Sequence, residues 1–178
     1  YKKNKSLEEF EKKNHSGNII IEQLDLTNEI SIGNLTEKIS SLDILVNCAA
    51  LVKGGVEYRI ENFADVVNVN LMGALRICHS MLPKLALSKG NIINLTSVNT
   101  KLASSNSPAY ASTKSGIESL TKSMAACWAT HNVRVNSIAP GWIKGNTNNT
   151  LTEELLDQNY HQRIPLKRLG SPDEVAYV

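Results

Sequence analysis

Short apolar runs alternate along this chain with longer stretches whose apolar residues recur at helical spacing. Four runs have the length of buried strands, at 18–24, 42–50, 91–96 and 133–139. Three longer stretches predict amphipathic helices, at 28–40, 60–88 and 108–131. This alternation is typical of a parallel sheet covered by helices on both faces. The sequence therefore predicts one α/β domain over residues 1–178, without repeats or linkers.

Capping residues mark where several of these helices begin. Ser-x-x-Glu or Thr-x-x-Glu patterns, which close a capping box, occur at 6–9, 150–153 and 171–174. Ser107 followed by Pro108 is a favourable N-cap and first-turn pair. We therefore expect Tyr110 to lie in the first turn of a helix.

Composition narrows the class of protein. The chain has 178 residues, of which 42% are hydrophobic and 20% charged, and its formal net charge is +2. Lysines near the N-terminus are interleaved with glutamates, so they indicate a solvated helix face and no nucleic-acid partner. No apolar stretch approaches the roughly 18 residues that a membrane-spanning helix needs. We expect a globular domain without nucleic-acid or membrane partners.

Cysteine and histidine usage argues against metal binding and for a reducing compartment. The three cysteines, Cys48, Cys78 and Cys127, are widely spaced in apolar surroundings. An odd number of such residues predicts buried, reduced thiols and a cytoplasmic location. The four histidines are isolated, and no Cys or His pair has the spacing of metal ligands.

One helical pair predicts proton-transfer chemistry. Tyr110 and Lys114 are four residues apart, so they share a helix face. A neighbouring ammonium would lower the pKa of the phenol from about 10 toward neutral pH, which suits a general acid or base. Ser97 ends an apolar strand-like run and could hydrogen-bond the same substrate oxygen. These residues predict carbonyl reduction or its reverse.

The chain resembles the short-chain dehydrogenase/reductase family from about residue 18 to residue 177. The matching segments follow the family order: LDLT at 24–27, LVNCAA at 45–50, VNVNLMG at 67–73, GNIINLTS at 90–97, YASTK at 110–114, VRVNSIAPGWI at 133–143 and RIPLKRLGSPDEVA at 163–176. The resemblance implies a Rossmann-like, doubly wound parallel sheet in a three-layer α/β/α arrangement, and NAD or NADP as cofactor.

The resemblance also implies roles for four catalytic residues. Tyr110 would be the acid/base, Lys114 would lower its pKa and hold the nicotinamide ribose, and Ser97 would polarise the carbonyl. Asn70 would anchor the water through which Lys114 exchanges protons with solvent. Without the resemblance, an asparagine in an apolar helical stretch such as this one would be interpreted as an exposed or capping residue.

Cofactor contacts are implied at the ends of the predicted strands. Asp25 and Leu26 would meet the adenine, although Asp25 could also serve only as a turn residue. The other implied contacts are Asn47, Cys48, Ala49, Tyr110, Lys114, Pro140, Gly141 and Ile143. The sequence NCAA replaces the usual NNAG, and Gly145, Asn146 or Thr147 would take the place of a cofactor-contacting Thr. Residues 144–165 would form a substrate lid.

Two family segments are absent from this sequence. The glycine-rich TGxxxGIG turn, which holds the cofactor pyrophosphate at a helix N-terminus, does not occur, and neither does the final strand. We therefore expect an incomplete chain, in which the run at 18–24 has no neighbouring strand to join it to the run at 42–50.

The resemblance favours an NAD(P)-dependent oxidoreductase that interconverts a secondary alcohol and a ketone. A small polyol, sugar or sugar acid ranks first as substrate, and 3-oxoacyl-(acyl-carrier-protein) reduction is the alternative. A catalytically inactive nucleotide-binding regulator is the alternative of another class.

Assembly is expected from the two long helices. They carry apolar residues on more than one face, namely Val66, Val67, Leu71, Leu75 and Met81 on the first and Ile117, Leu120, Met124 and Trp128 on the second. The resemblance implies pairing of these helices across a two-fold axis. We expect a homotetramer or a homodimer.

Overall fold

Three parallel strands form the sheet of this protein. The computed structural model describes residues 19–144 and 164–178. Within these ranges the strands stand in the order β1-β2-β3, with bounds Ile44–Asn47, Asn91–Leu95 and Arg134–Ile138. Asn47 is level with Asn94, and Asn94 with Ser137. The carboxyl ends of the strands therefore meet at one edge, where ligands bind in open parallel sheets.

Five helices accompany the sheet in the described part of the chain. They are α1 Glu29–Lys38, α2 Ile60–Val67, α3 Gly73–Ser88, α4 Pro108–Trp128 and α5 Pro172–Ala176. A π-helical turn at Asn68–Met72 joins α2 to α3, and short 3₁₀ turns follow β2 and α4. The helices predicted at 28–40, 60–88 and 108–131 are confirmed, the second with this unpredicted π turn. The signals at 6–9 and 150–153 lie outside the described residues.

Local capping explains three of the helix ends. The side chain of Asn28 accepts hydrogen bonds from the backbone of Ile30 and Ser31, which begins α1. Lys89 ends α3 in the left-handed conformation, with φ of 55°. Ser171 and Glu174 form the predicted capping box of α5. Each of these ends depends on residues close in sequence.

The core lies between one face of the sheet and helices α3 and α4. Its buried members are Ile32, Ile77, Cys78, Met81, Leu85, Ile92, Met124, Trp128, Val133 and Val135. On the opposite face of β1, Ile44 is 57% exposed and Val46 is 53% exposed. Among the described residues, the helical cover is therefore uneven between the two sheet faces.

The prediction of a strand at 18–24 is wrong for residues 19–24, which are the part of this run that the structure describes. These residues form no ladder with any described strand, and Ile20 is 85% exposed. A strand needs a neighbour to pair its backbone groups, and apolar composition alone does not supply one.

The long helices use much of their apolar surface inside the chain. Five of the nine apolar residues named on them are buried: Val66, Met81, Ile117, Met124 and Trp128. Leu71 packs against Gly116, where a Cβ would lie 3.1 Å from a Leu71 methyl group. The apolar surplus inferred from sequence is therefore largely used inside the chain. No helix in the described ranges is long and apolar enough to cross a membrane.

Candidate active site

Ser97, Tyr110 and Lys114 come together at the carboxyl edge of the sheet. Ser97 lies two residues after β2, and Tyr110 is the third residue of α4. The Nζ of Lys114 lies 5.6 Å from the centroid of the Tyr110 ring. Lys114 is only 2% exposed and donates a hydrogen bond to the carbonyl oxygen of Leu95 at the end of β2. The helical spacing of Tyr110 and Lys114 thus brings both side chains to the same place as Ser97.

The titration of this cluster differs from the expectation. Burial raises the pKa of Tyr110 above its usual value, and a hydrogen bond with the Ser97 side chain lowers it by less. Burial lowers the pKa of Lys114, against an opposing interaction with Cys48. The predicted net lowering of the Tyr110 pKa is therefore wrong, because desolvation of the phenolate outweighs the favourable contacts.

Asn70 connects the loop after β1 to the helix that carries Tyr110 and Lys114. It lies in the π turn and is 2% exposed. Its Oδ1 accepts from the N–H of Leu51 at 2.6 Å, and its Nδ2 donates to the Leu51 carbonyl at 2.9 Å. Nδ2 also donates to the hydroxyl of Thr113 at 3.2 Å, one residue before Lys114. Because Asn70 is buried, it is not the exposed residue that the sequence alone allowed. Its role in a water relay stays a prediction.

The turn at 25–27 is fixed onto helix α3. The Oδ1 of Asp25 accepts from the backbone and hydroxyl of Thr27 at 2.8 and 2.7 Å, and these bonds lower the pKa of Asp25. Leu26 packs against Gly73, where a Cβ would lie 2.8 Å from the Leu26 Cβ. Arg76 donates to the Leu26 carbonyl at 3.3 Å. Asp25 is thus a turn residue held in a fixed place, and its adenine contact stays a prediction.

Asn47 begins a buried polar chain between the sheet and the helices. Its Nδ2 donates to Asn94 Oδ1 at 2.9 Å and to Cys78 Sγ at 3.0 Å. Asn94 in turn donates to the Thr121 hydroxyl at 2.9 Å. The Nδ2 group of Asn47 is therefore directed into the interior, and its cofactor contact stays a prediction.

The cysteines only partly match the prediction of buried thiols. All three are free. Cys78 is fully buried, which raises its pKa to about 11. Cys48 and Cys127 are exposed, contrary to the prediction, because Cys48 follows the end of β1 and Cys127 lies on the outer side of α4. Ala49 is exposed beside Cys48, so both residues are accessible at the sheet edge.

The segment after β3 is held by the residues that precede α5. Ile143 forms a parallel bridge with Gly170, whose N–H donates to the Trp142 carbonyl at 2.9 Å. A Cβ on Gly170 would lie 2.6 Å from the Ile143 Cδ1, so a side chain at this position would displace the end of the Ile143 side chain. The Pro140 carbonyl accepts from Val98 N–H at 3.0 Å, which brings the 140–143 segment next to Ser97. Gly141 is exposed there, and the cofactor contacts of this segment remain predictions.

A cavity of about 180 Å³ reaches the sheet edge between α1, β1 and α3. Five residues with predicted roles line it: Leu26, Asn47, Cys48, Ala49 and Asn70. Pockets for small molecules usually measure about 300–1,000 Å³. The cavity is therefore too small to hold a whole dinucleotide. Gly145, Asn146, Thr147 and most of the lid at 144–165 lie outside the described residues.

Glu57 and Asn94 are two buried polar residues that the sequence analysis missed. Glu57 has no exposed surface, and one carboxylate oxygen accepts from the N–H of Tyr110 at 2.9 Å. The Ser107 side chain makes no capping bond in the structure, so the first turn of α4 takes its acceptor from a residue distant in sequence.

Several known proteins are similar to this chain. The whole chain, residues 1–178, matches the sequence model of a family described as enoyl-(acyl carrier protein) reductase. A 3-oxoacyl-(acyl-carrier-protein) reductase FabG from Aquifex aeolicus strain VF5 is 36% identical over 163 residues, which cover 88% of this chain and 65% of the relative. The corresponding FabG from Thermotoga maritima is 33% identical, covering 87% of this chain and 65% of the relative.

Solved structures show the same fold. The crystal structure of a gluconate 5-dehydrogenase from Burkholderia cenocepacia J2315, in complex with NADP and tartrate, superposes with a TM-score of 0.78. It is 27% identical and matches 86% of this chain and 64% of that chain. The parallel sheet is therefore of the Rossmann-like type.

The chain belongs to the short-chain dehydrogenase/reductase family, a family of oxidoreductases. It spans about 65% of the length of the curated relatives described above.

Proposed function

We propose that the full-length protein is an NAD(P)-dependent oxidoreductase that interconverts a secondary alcohol and a ketone. The observation that carries this proposal is the cluster of Ser97, Tyr110 and Lys114 at the carboxyl edge of the sheet. A partly buried phenol, hydrogen-bonded to a serine and lying beside a buried ammonium, is suited to proton transfer. A regulator without catalytic activity would have no use for such a cluster.

The chain's own residues supply the proton and the orientation. In the reducing direction the Tyr110 phenol donates its proton to the substrate oxygen, and the Ser97 hydroxyl donates a hydrogen bond to the same oxygen. The ammonium of Lys114 stabilises the phenolate that remains, since opposite charges attract strongly in a partly buried site. In the oxidising direction the phenolate takes the proton from the alcohol.

The nicotinamide dinucleotide, when bound, supplies or accepts the hydride. The residues that would hold it are Asp25 and Leu26 on the fixed turn, the exposed residues Cys48 and Ala49, Lys114, and the 140–143 segment. All of these lie near the carboxyl ends of the strands, where dinucleotides bind in such sheets. NAD and NADP are both compatible with this set.

The relatives favour a 3-oxoacyl thioester as the substrate. The FabG proteins of Aquifex aeolicus and Thermotoga maritima are 3-oxoacyl-(acyl-carrier-protein) reductases, and they are 36% and 33% identical to this chain. This order reverses the ranking drawn from sequence, which placed a small polyol or sugar acid first. The sugar-acid alternative is supported by the fold match to a gluconate 5-dehydrogenase.

The test is a turnover assay on the full-length protein with substrates of both classes. Acetoacetyl-coenzyme A with NADH or NADPH probes thioester reduction, and gluconate with NAD or NADP probes sugar-acid oxidation. Tyr110→Phe removes the acid/base hydroxyl, and Tyr177→Phe is the matched control because Tyr177 is 89% exposed. We expect kcat to fall by at least about 100-fold in Tyr110→Phe, as is typical for loss of a general acid. The control should match the parent.

Two outcomes would contradict the proposal. Near-parental turnover in Tyr110→Phe would remove Tyr110 from the acid/base role. Dinucleotide binding without turnover of any secondary alcohol or ketone would favour the inactive regulator instead.

Two further parts of the proposal concern organisation. We infer one domain over residues 1–178 with a lid at about 144–165, and a homotetramer or homodimer by analogy with the family. The outward side of α4 carries the small residues Ser115, Ser119 and Ser123, which would allow close approach of a second copy. Light scattering on the full-length protein tests the assembly, and a monomer with full activity would contradict it.

A further inference from the structure

A buried carboxylate ties two separate segments of this chain together. Glu57 has no exposed surface, although it lies among exposed residues in the loop before α2. Its Oε1 accepts from the N–H of Lys53 at 2.8 Å, and its Oε2 accepts from the N–H of Tyr110 at 2.9 Å. A buried carboxylate is costly unless its oxygens are hydrogen-bonded, and here both are.

The second of these bonds replaces a helix cap. Tyr110 is the third residue of α4, and its N–H is one of those that a helix leaves without an internal partner. An N-cap serine usually satisfies this group, but the Ser107 side chain makes no capping bond. Glu57, 53 residues earlier in the chain, provides the acceptor instead. Its negative charge also suits the positive end of the helix dipole.

A neighbouring backbone contact strengthens the connection. The N–H of Gly55 donates to the carbonyl of Asn106 at 2.7 Å, just before α4. Gly55 has φ of +72°, a conformation that a residue with a side chain rarely adopts. The loop that ends at Glu57 therefore contacts the start of α4 at two points, one on either side of Ser107.

We propose that Glu57 is a positioning residue for Tyr110, holding the first turn of α4 so that the phenol stays in reach of Ser97 and Lys114. The inference rests on the proposed function, since it assigns Tyr110 the acid/base role. Displacement of a reacting group by about 1 Å can cost about 100-fold in rate. The carboxylate is suited to this task because it offers an acceptor to each of two N–H donors.

Glutamine at position 57 separates this role from simple packing. Glu57→Gln keeps the shape but has a single acceptor oxygen, so its amide group must face one of the two N–H donors. Glu61→Gln is the matched control, because Glu61 is exposed in the first turn of α2. A second variant, Glu57→Gln with Ser107→Asp, places a new carboxylate where an N-cap can accept from the third N–H of the helix.

The experiment measures kcat, KM for the active probe found among acetoacetyl-coenzyme A and gluconate, and the melting temperature, all on full-length protein. In Glu57→Gln we expect kcat per folded molecule to fall at least about 10-fold with KM within about 3-fold, because the reacting group is displaced and the binding surface is kept. The alkaline limb of the kcat profile should shift, since it reports the environment of the phenol. The Ser107→Asp combination should recover most of the lost kcat. Glu61→Gln should match the parent in all of these.

Other results would overturn the inference. A folded Glu57→Gln protein with parental kcat and pH profile would leave Glu57 a structural residue only. A combination variant that regains the melting temperature but not kcat would show that the Tyr110 N–H is not the point of control. If Glu57→Gln alone does not fold, the combination variant supplies the comparison. The Tyr110→Phe assay is run in parallel, and its full activity would instead defeat the proposed function itself.

Discussion

The side-chain amide of Asn70 pairs with both backbone polar groups of Leu51, at 2.6 Å to its N–H and 2.9 Å to its carbonyl. Leu51 belongs to the loop that follows β1 and runs past Cys48 and Ala49. A buried amide that pairs both backbone groups of a loop residue in this way holds the loop at that point. The predicted cofactor edge thus depends on a residue of the π turn.

Replacing Asn70 should loosen this loop. Asn70→Ala leaves the Leu51 N–H and carbonyl without partners, and each such buried group costs about 1–3 kcal/mol. We expect a lower free energy of unfolding in urea and weaker dinucleotide binding by calorimetry. Asn106→Ala, at an exposed site before α4, is the control. Parental dinucleotide affinity in a folded Asn70→Ala protein would show that the loop does not form the cofactor edge.

Removing the Ser97 hydroxyl should change the pH dependence of catalysis. The hydrogen bond with Ser97 lowers the pKa of Tyr110, so Ser97→Ala should raise that pKa further. Reduction uses the protonated phenol and declines as pH rises through this pKa, so its decline should move to higher pH. Oxidation uses the phenolate, so its onset should move the same way. Profiles of kcat between pH 6 and 11 test this, and shifts to lower pH would contradict it.

Lys114 should influence both catalysis and cofactor binding. Lys114→Met keeps much of the buried aliphatic volume but removes the ammonium and the hydrogen bond to Leu95. We expect kcat to fall at least about 10-fold because the phenolate loses its stabilising charge. Dinucleotide affinity, followed by cofactor fluorescence, should fall as well. Lys122→Met is the control, since the Lys122 side chain is 75% exposed. Unchanged dinucleotide affinity in Lys114→Met would show that Lys114 does not contact the nicotinamide ribose.

One of the three thiols, Cys78, should react with alkylating reagents far more slowly than the other two. Burial raises the pKa of Cys78 to about 11, so almost none of it is thiolate at pH 8, and it is also inaccessible. Cys48 and Cys127 are exposed and should be alkylated by iodoacetamide in the native protein, as peptide mass spectrometry would show. Bound dinucleotide should protect Cys48 and leave Cys127 reactive. Equal protection of both, or of neither, would contradict the placement of Cys48 at the cofactor edge.

Features set by neighbouring residues could be predicted from sequence, and those set by distant partners could not. The first residues of α1 and α5 follow from Asn28 and Ser171, whose side chains accept hydrogen bonds from backbone N–H groups two or three residues later. The Tyr110 and Lys114 pair follows from helical spacing. The role of Glu57 depends on a contact across 53 residues, which no local pattern encodes.

Two of the predictions failed for different physical reasons. The run at 18–24 has strand composition and was expected to lack a neighbouring strand; because a strand is defined by pairing, residues 19–24 form none with the described strands. The expected lowering of the Tyr110 pKa took account of the nearby charge, whereas burial of the phenol raises that pKa.

The π turn at Asn68–Met72 sets the directions in which the helices on either side of it pack. A π turn corresponds to one extra residue in an α-helix, so the segments on either side of it keep independent rotational phases. The segment before it, α2, packs against α4, whereas the segment after it, α3, packs against α1 and the core. Deleting one residue at 68–72 would force a single phase on both and turn one of these surfaces by about 100°. The extra residue thus lets α2 face α4 while α3 faces α1 and the core.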